Sequence, residues 1–374
     1  MSYFLAFAGF AALIILHEAG HFAAAKAVGM RVERFALFFP PLIARFRPKG
    51  GETEYGIGLI PLGGYVKITG MNPAEDIPPD VLPRAYFRQP VWKRIVVIAA
   101  GPLVNIVLAF IIVWLLLLSQ GTIKDGLGVA DVQPQTPAAK VLQPGDRILS
   151  IDGVKGYEPG LTKAQIDARA IALRNRINAH RCAGKLVDRC VAAKPAAVRV
   201  LRDGRTVSLQ VRPRYDATPD TKRMLLGFAF GDKVDVGPGE AVTLSVSYMW
   251  RVTKTTVDSI VKIFYDSKAR KQVSGVVGSY EATRQAVKFD TVRAFSILAL
   301  ISLSLGIINL FPFLPLDGGH IFWALAEKVR GRPIPFSVME RVGIVGFMLV
   351  IFLFYIGLSN DIGRLTSGQG FGTR

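Results

Sequence analysis

The five residues His17-Glu18-Ala19-Gly20-His21 carry the most chemistry for their length. On a helix, side chains four apart share a face, so both imidazoles can reach one metal ion. Glu18 follows the first histidine and can take a proton from a metal-bound water. The run lies inside an apolar stretch, where ionisable groups are costly and point to function. The plainer alternative is that these residues pair with one another or with backbone to pack helices. A catalytic zinc wants three protein ligands and one open position for water. Two histidines remain, His180 and His320. His180 falls in a region that reads as a separate outer domain. His320 lies near an apolar span and is one candidate for the third ligand. Asp317, in Asn309-Leu-Phe-Pro-Phe-Leu-Pro-Leu-Asp317-Gly-Gly319, is the other. Prolines at 312 and 315 must break a helix there and free backbone groups. Broken backbone at membrane depth is tolerated only beside protein or a wet cavity. An aspartate in that setting wants a cation, although a water-exposed Asp-Gly-Gly turn would also suit the residues.

Positioning such a site requires spans. About 20 helical residues cross a bilayer, and residues 4–28, 95–118, 294–312 and 342–358 are long and apolar enough. The N-terminal stretch lacks a basic leader segment and reads as a retained span. Residues 241–264 carry Arg251, Lys254, Asp258 and Lys262, and read as an amphipathic helix lying on the membrane surface. Lys and Arg crowd the first loop, from Arg31 to Arg94, and the short loop holding Lys328, Arg330, Arg332 and Arg341. Both loops should be cytoplasmic, which leaves both termini and the long middle region outside. The first and third spans then run the same way, and His17, His21 and Asp317 fall at similar depth.

The first loop also contains Glu54–Lys67, a mixture of β-formers and glycines that reads as a short sheet or hairpin at the membrane. Residues 121–215 read as a small β-rich domain, with strands near 148–151, 198–201 and 207–211 and a helical stretch over 163–180. The predicted division is 1–120, 121–215 with an insert at about 156–195, 216–290 as linker and surface helix, and 291–374.

Of the 374 residues, 51% are hydrophobic, and the net charge is +18. With mean hydropathy at +0.35, and basic residues flanking apolar runs, the charge fits anionic lipid headgroups. No nucleic-acid-binding motif is present, and nucleic acid is not expected as a partner. Cys182 and Cys190 are too few for a disulfide scaffold or a four-cysteine zinc site. A disulfide between them and a pair of free thiols both fit the outer location.

Together these residues resemble the site-2 protease family of intramembrane zinc metalloproteases, in its bacterial PDZ-containing branch, similar to regulator-of-sigma-E proteases. The resemblance rests on His17–His21, on Asn309 with Leu316-Asp317-Gly318, on Gly101-Pro-Leu-Val-Asn105, on Ile60–Lys67 as a membrane-reentrant β element, and on Leu142–Gly153 as the core of a PDZ domain. It departs at Val276, where the family usually has proline, and in the insert. The resemblance implies a polytopic α-helical membrane protein with four transmembrane helices, a membrane-associated β element and an inserted PDZ domain. It implies that His17, His21 and Asp317 hold Zn2+, that Glu18 is the catalytic base, and that Asn309 and Asn105 support the active site. It further implies location in a bacterial inner membrane and single-span membrane proteins as substrates, such as anti-sigma factors or remnant signal peptides. A C-terminal peptide would be the PDZ ligand. The competing readings are a metal transporter, which would thread polar residues across the whole membrane, and a non-catalytic PDZ scaffold, which would leave Glu18 without a use.

Overall fold

In a computed structural model of the protein, residues 2–72, 75–133, 136–217, 222–289 and 291–366 are described. The apolar run at the N-terminus becomes α1 (Ser2–Ala27), unbroken through the histidine motif. It ends before Gly29, whose φ of 84° turns the chain out of the helix. Two fifteen-residue strands follow, β1 (Val32–Phe46) and β2 (Glu54–Ile68). They pair antiparallel and fold over one another. Arg34–Leu37 of β1 pairs with both ends of β2, Gly64–Lys67 and Glu54–Ile57, while Leu42–Phe46 pairs with Tyr55–Gly58. Gly64–Ile68 therefore has β1 on one side and, among the described residues, no strand on the other. The expected hairpin over 54–67 is thus one limb of a larger element. Two short 3-10 turns, Leu82–Arg84 and Tyr86–Arg88, lead into α2 (Val91–Gln120).

By contact, residues Leu117–Pro238 form one compact unit and the rest of the chain another. The Leu117–Pro238 unit holds β3 (Thr122–Val132), β4 (Arg147–Ile151), β5 (Val154–Lys155), α3 (Lys163–Asn178), β6 (Ala196–Arg202), β7 (Arg205–Val211), β8 (Arg214–Asp216), β9 (Arg223–Leu225) and β10 (Phe228–Val234). The antiparallel sheet runs β10-β3-β4-β6-β7, with β5 beside β4, and β8 pairs with β9. The unit reaches past residue 215 because β10, late in the chain, pairs with β3 at its start. Strand periodicity sorts β6: Ala196, Val198 and Val200 are buried and the residues between them exposed. Those residues meet Ile148, Ile151 and Leu127 in one core with Leu173 and Ile177 of α3. The Thr162 hydroxyl and the Gln165 side chain form a reciprocal capping box at the start of α3. Buried Asp146 accepts bonds from Arg202 Nε at 2.7 Å and Nη2 at 2.6 Å, and from the Gln143 amide at 2.9 Å.

After this unit come α4 (Pro238–Tyr265), α5 (Ser267–Gln272), α6 (Val276–Phe289), α7 (Thr291–Asn309), α8 (Asp317–Arg330) and α9 (Phe336–Thr366). Among the described residues, four helices are long and apolar enough to span a membrane: Tyr3–Ala27, Val91–Gln120, Thr291–Asn309 and Ser337–Thr366. They match the four expected spans. The third stops at Asn309 rather than 312 because Pro312 cannot donate to the helix and restricts the residue before it. The fourth starts earlier than its apolar run, since helical pairing continues through Glu340 and Arg341. Outward apolar residues such as Leu103, Val107, Ile111, Val345 and Phe352 stay exposed, while His17, Asn105, Ser302 and Asp361 are buried. Exposed apolar bands around a partly polar interior are what hydrocarbon selects as a solvent. The chain is a membrane protein.

Candidate metal centre

Helical spacing does on α1 what the sequence predicts: His17 and His21 lie one turn apart, both buried, with ring centroids 4.9 Å apart and rings nearly perpendicular. Their Nε2 atoms are 3.3 Å from each other. Each is also 3.3 Å from Oδ2 of Asp317, the first residue of α8. The three donor atoms mark an equilateral triangle. Ligands around a tetrahedral zinc with bonds of about 2.0–2.1 Å stand about 3.3–3.4 Å apart, so the triangle has the dimensions of three corners of such a site. Asp317 Oδ2 is buried and, among the described residues, has no hydrogen-bond partner in conventional geometry. An orphaned carboxylate oxygen between two imidazole nitrogens is a donor set waiting for a cation. The residues fit a divalent metal, and nitrogen, nitrogen and oxygen donors suit zinc. Between the two third-ligand candidates, Asp317 joins the histidines, and His320 is outside the cluster.

Outer contacts orient the rings. His21 Nδ1 is 2.9 Å from the carbonyl oxygen of Val97 on α2, a partner that can only accept. Nδ1 must therefore carry the proton, which leaves the Nε2 lone pair facing the triangle. His17 Nδ1 lies 3.4 Å from the side-chain nitrogen Nδ2 of Asn105, whose Oδ1 is buried without a partner among the described residues. Ser302 of α7 donates to the Asn105 backbone carbonyl at 2.9 Å, tying a third helix to this point.

Glycines make the approach close enough. A Cβ on Gly20 would stand 2.7 Å from the Ala100 carbonyl oxygen, and one on Gly101 would stand 2.3 Å from His21 Nε2. Gly64 of β2 faces Glu18: a Cβ there would stand 2.1 Å from Glu18 Cγ and 3.0 Å from Oε1. The free edge of the β element is thus beside the carboxylate that follows His17. Glu18 is only partly buried. Asn309 closes α7 half-buried, and among the described residues its side chain makes no hydrogen bond to the three donors. Sequence reasoning missed Gly20, Gly64 and the Val97 carbonyl. Gly20 had a signal in its place within the histidine motif, whereas a backbone carbonyl has none.

His180 has a different use. Its Nε2 is 2.8 Å from Asp152 Oδ2 and its Nδ1 3.2 Å from the Lys194 carbonyl oxygen, while Cys182 and Cys190 are joined in a disulfide.

The profile of peptidase family M50 matches residues 5–353. A protein of Nostoc sp. named "Putative zinc metalloprotease" is 30% identical over 98% of this chain and 97% of its own length. Another of that name from Synechocystis sp. is 32% identical over 96% of this chain and 94% of its own. The regulator of sigma E protease of Salmonella typhi is 27% identical over 94% of this chain and 96% of its own.

Proposed function

The chain belongs to peptidase family M50, and from that membership we propose that His17, His21 and Asp317 hold a catalytic zinc ion and that Glu18 is the base of a protease acting on membrane-spanning segments. The observation that carries this reading is the 3.3 Å triangle of donor atoms, two of them on the helix that also bears Glu18 and the third on α8. Zinc, when bound, lowers the pKa of a coordinated water and polarises the scissile carbonyl. Glu18 takes a proton from the attacking water and delivers it to the leaving nitrogen. Val97 fixes the tautomer of His21. An amide flip that puts the Asn105 oxygen in place of Nδ2, which stands 3.4 Å from His17 Nδ1, would do the same for His17.

A substrate helix hides its carbonyls in its own hydrogen bonds and must be unwound before it can be cut. The unpaired edge at Gly64–Ile68 can take an extended segment by strand addition, next to Glu18. Asn309, at the end of the third span, supports the bound segment. Residues 117–238 act as an extracytoplasmic PDZ domain, screening substrates by size or by a free C-terminus, with both chain termini on the same side. Zinc as the resident metal, a bacterial inner membrane, and membrane-anchored substrates such as anti-sigma factors or remnant signal peptides complete the reading. The names and the sigma-E role of the relatives support these points.

The test is cleavage of a co-expressed single-span reporter by wild type and Glu18→Gln, with zinc measured in both. Zinc retained with cleavage reduced by about 10²–10⁴-fold is expected for loss of a general base. Cleavage surviving in the variant sinks the assignment of Glu18.

A further inference from the structure

α8 carries Asp317 on its first turn, so the direction of this helix sets where the carboxylate points. Its start is pinned by backbone contact. A Cβ on Gly318 would stand 2.2 Å from the Leu310 carbonyl oxygen, and one on Gly319 would stand 2.5 Å from the Leu314 nitrogen. Beyond that point α8 buries little: of its described residues after Gly319 only Ala324 is buried, and Ile321 rests on a neighbouring cluster. Ten residues on, about 15 Å along the axis, Glu327 meets Arg94 in the first turn of α2. Arg94 Nη1 donates to Oε2 at 2.9 Å and Nη2 to Oε1 at 2.7 Å. The side chains are 10% and 24% exposed. The Arg94 guanidinium lies 6.0 Å from the centre of the Tyr86 ring, and its Nε is buried without a partner among the described residues.

A pair this sheltered is a poor stabiliser, because desolvation offsets most of the attraction and apolar side chains of similar size would serve as well. What the planar fork supplies is a fixed distance and angle. α2 is also the helix whose Val97 and Asn105 hold the two histidines. We propose that Arg94 and Glu327 are a positioning pair: they fix the axis of α8 against α2 and thereby hold Asp317 at its spacing from His17 and His21. Two points determine a line; the glycine contacts supply one and the ion pair the other. This inference rests on the assignment of those three residues as ligands.

The test uses the full chain in lipid nanodiscs, as wild type, Glu327→Gln, Arg94→Gln and the double variant, with His17→Ala as reference. Zinc retention against a chelator, thermal midpoint, and kcat and KM on the reporter are read for each. Each single variant should lose zinc retention and kcat on the order of ten-fold or more, with KM unchanged. The double variant leaves no charge unpaired, so its thermal midpoint should recover. Its zinc retention should stay low, because two amides do not rebuild the fork. Zinc retention that returns together with the midpoint, or single variants that keep zinc as wild type does, would make the pair a plain brace and overturn the proposal. Wild type losing zinc as readily as His17→Ala would bring down the metal centre itself, a separate failure that takes this proposal with it.

Discussion

The sheet unit at Leu117–Pro238 and the helical unit around the candidate metal centre solve opposite problems. The first gathers Leu127, Ile148, Ile151, Leu173, Val198 and Val200 into one apolar core and leaves most of its charges outside, with Asp146 buried against Arg202. The second exposes its large apolar side chains and buries histidines, an asparagine and an arginine. In water, burial of carbon drives the fold and polar contacts refine it. In hydrocarbon, carbon is indifferent between neighbour and solvent, so close backbone approach and buried polar contacts decide which helices meet. One chain thus uses glycine and polar groups where its other half uses valine and isoleucine.

That contrast can be attacked from both ends. The largest effect is expected at Gly101→Ala, whose new methyl would occupy the space of His21 Nε2. Zinc retention and cleavage should fall on the order of 100-fold, while hydrogen exchange in residues 117–238 stays unchanged. A zinc-replete, active variant would mean that the helix contact yields and that glycine does not set the site. Ile148→Ala should do the reverse. It removes a fully buried side chain, lowering the local stability of the sheet unit by about 2–5 kcal/mol, with zinc content intact. Thr162→Ala deletes one half of the capping box on α3 and should cost that helix about 1 kcal/mol, seen as faster exchange of its first-turn amides.

The smallest effect belongs to Glu52. Its carboxylate takes a hydrogen bond from Arg84 Nη1 at 2.8 Å and contacts Lys26 Nζ at 2.5 Å. The Arg84 hydrogen bond, helped by Lys26, holds its pKa down at about 2. Its contribution is therefore complete above the ordinary carboxylate value of 4.5 and is lost as pH falls from there toward 2. With 30% of the Glu52 side chain exposed to solvent screening, the loss should stay below about 1 kcal/mol. Exchange in the β1–β2 element between pH 5 and 3 should show it, and Glu52→Gln should abolish the dependence.

Most of the helical unit was legible because each span is a long apolar run and its buried polar residues stand out against that background. His17, Glu18 and His21 announce themselves by spacing. Asp317 was visible through the prolines that break the helix before it. The β1 strand was not legible: Val32–Phe46 runs through Phe38-Phe39-Pro40-Pro41 without alternation, and a strand that pairs on two sides with different parts of its partner gives no simple period. Strands β3 and β10 escaped for another reason. Their pairing joins residues about a hundred positions apart, and local pattern does not report closure of a sheet by distant edges. The Arg94–Glu327 pair hid in the same way, as one more basic and one more acidic residue at the margins of apolar segments.

On the proposed strand addition, the open edge at Gly64–Ile68 limits what the enzyme can tell apart. A strand edge reads amides and carbonyls, which every residue has in the same place. Side-chain identity then counts for little in the pairing itself, and selection shifts to how readily a segment gives up its helix. Glycine, asparagine or a β-branched residue near the cut would matter through the work of straightening the chain. Two substrates with unrelated letters and equally weak helices should be cut alike, and a single alanine run that stiffens one of them should protect it.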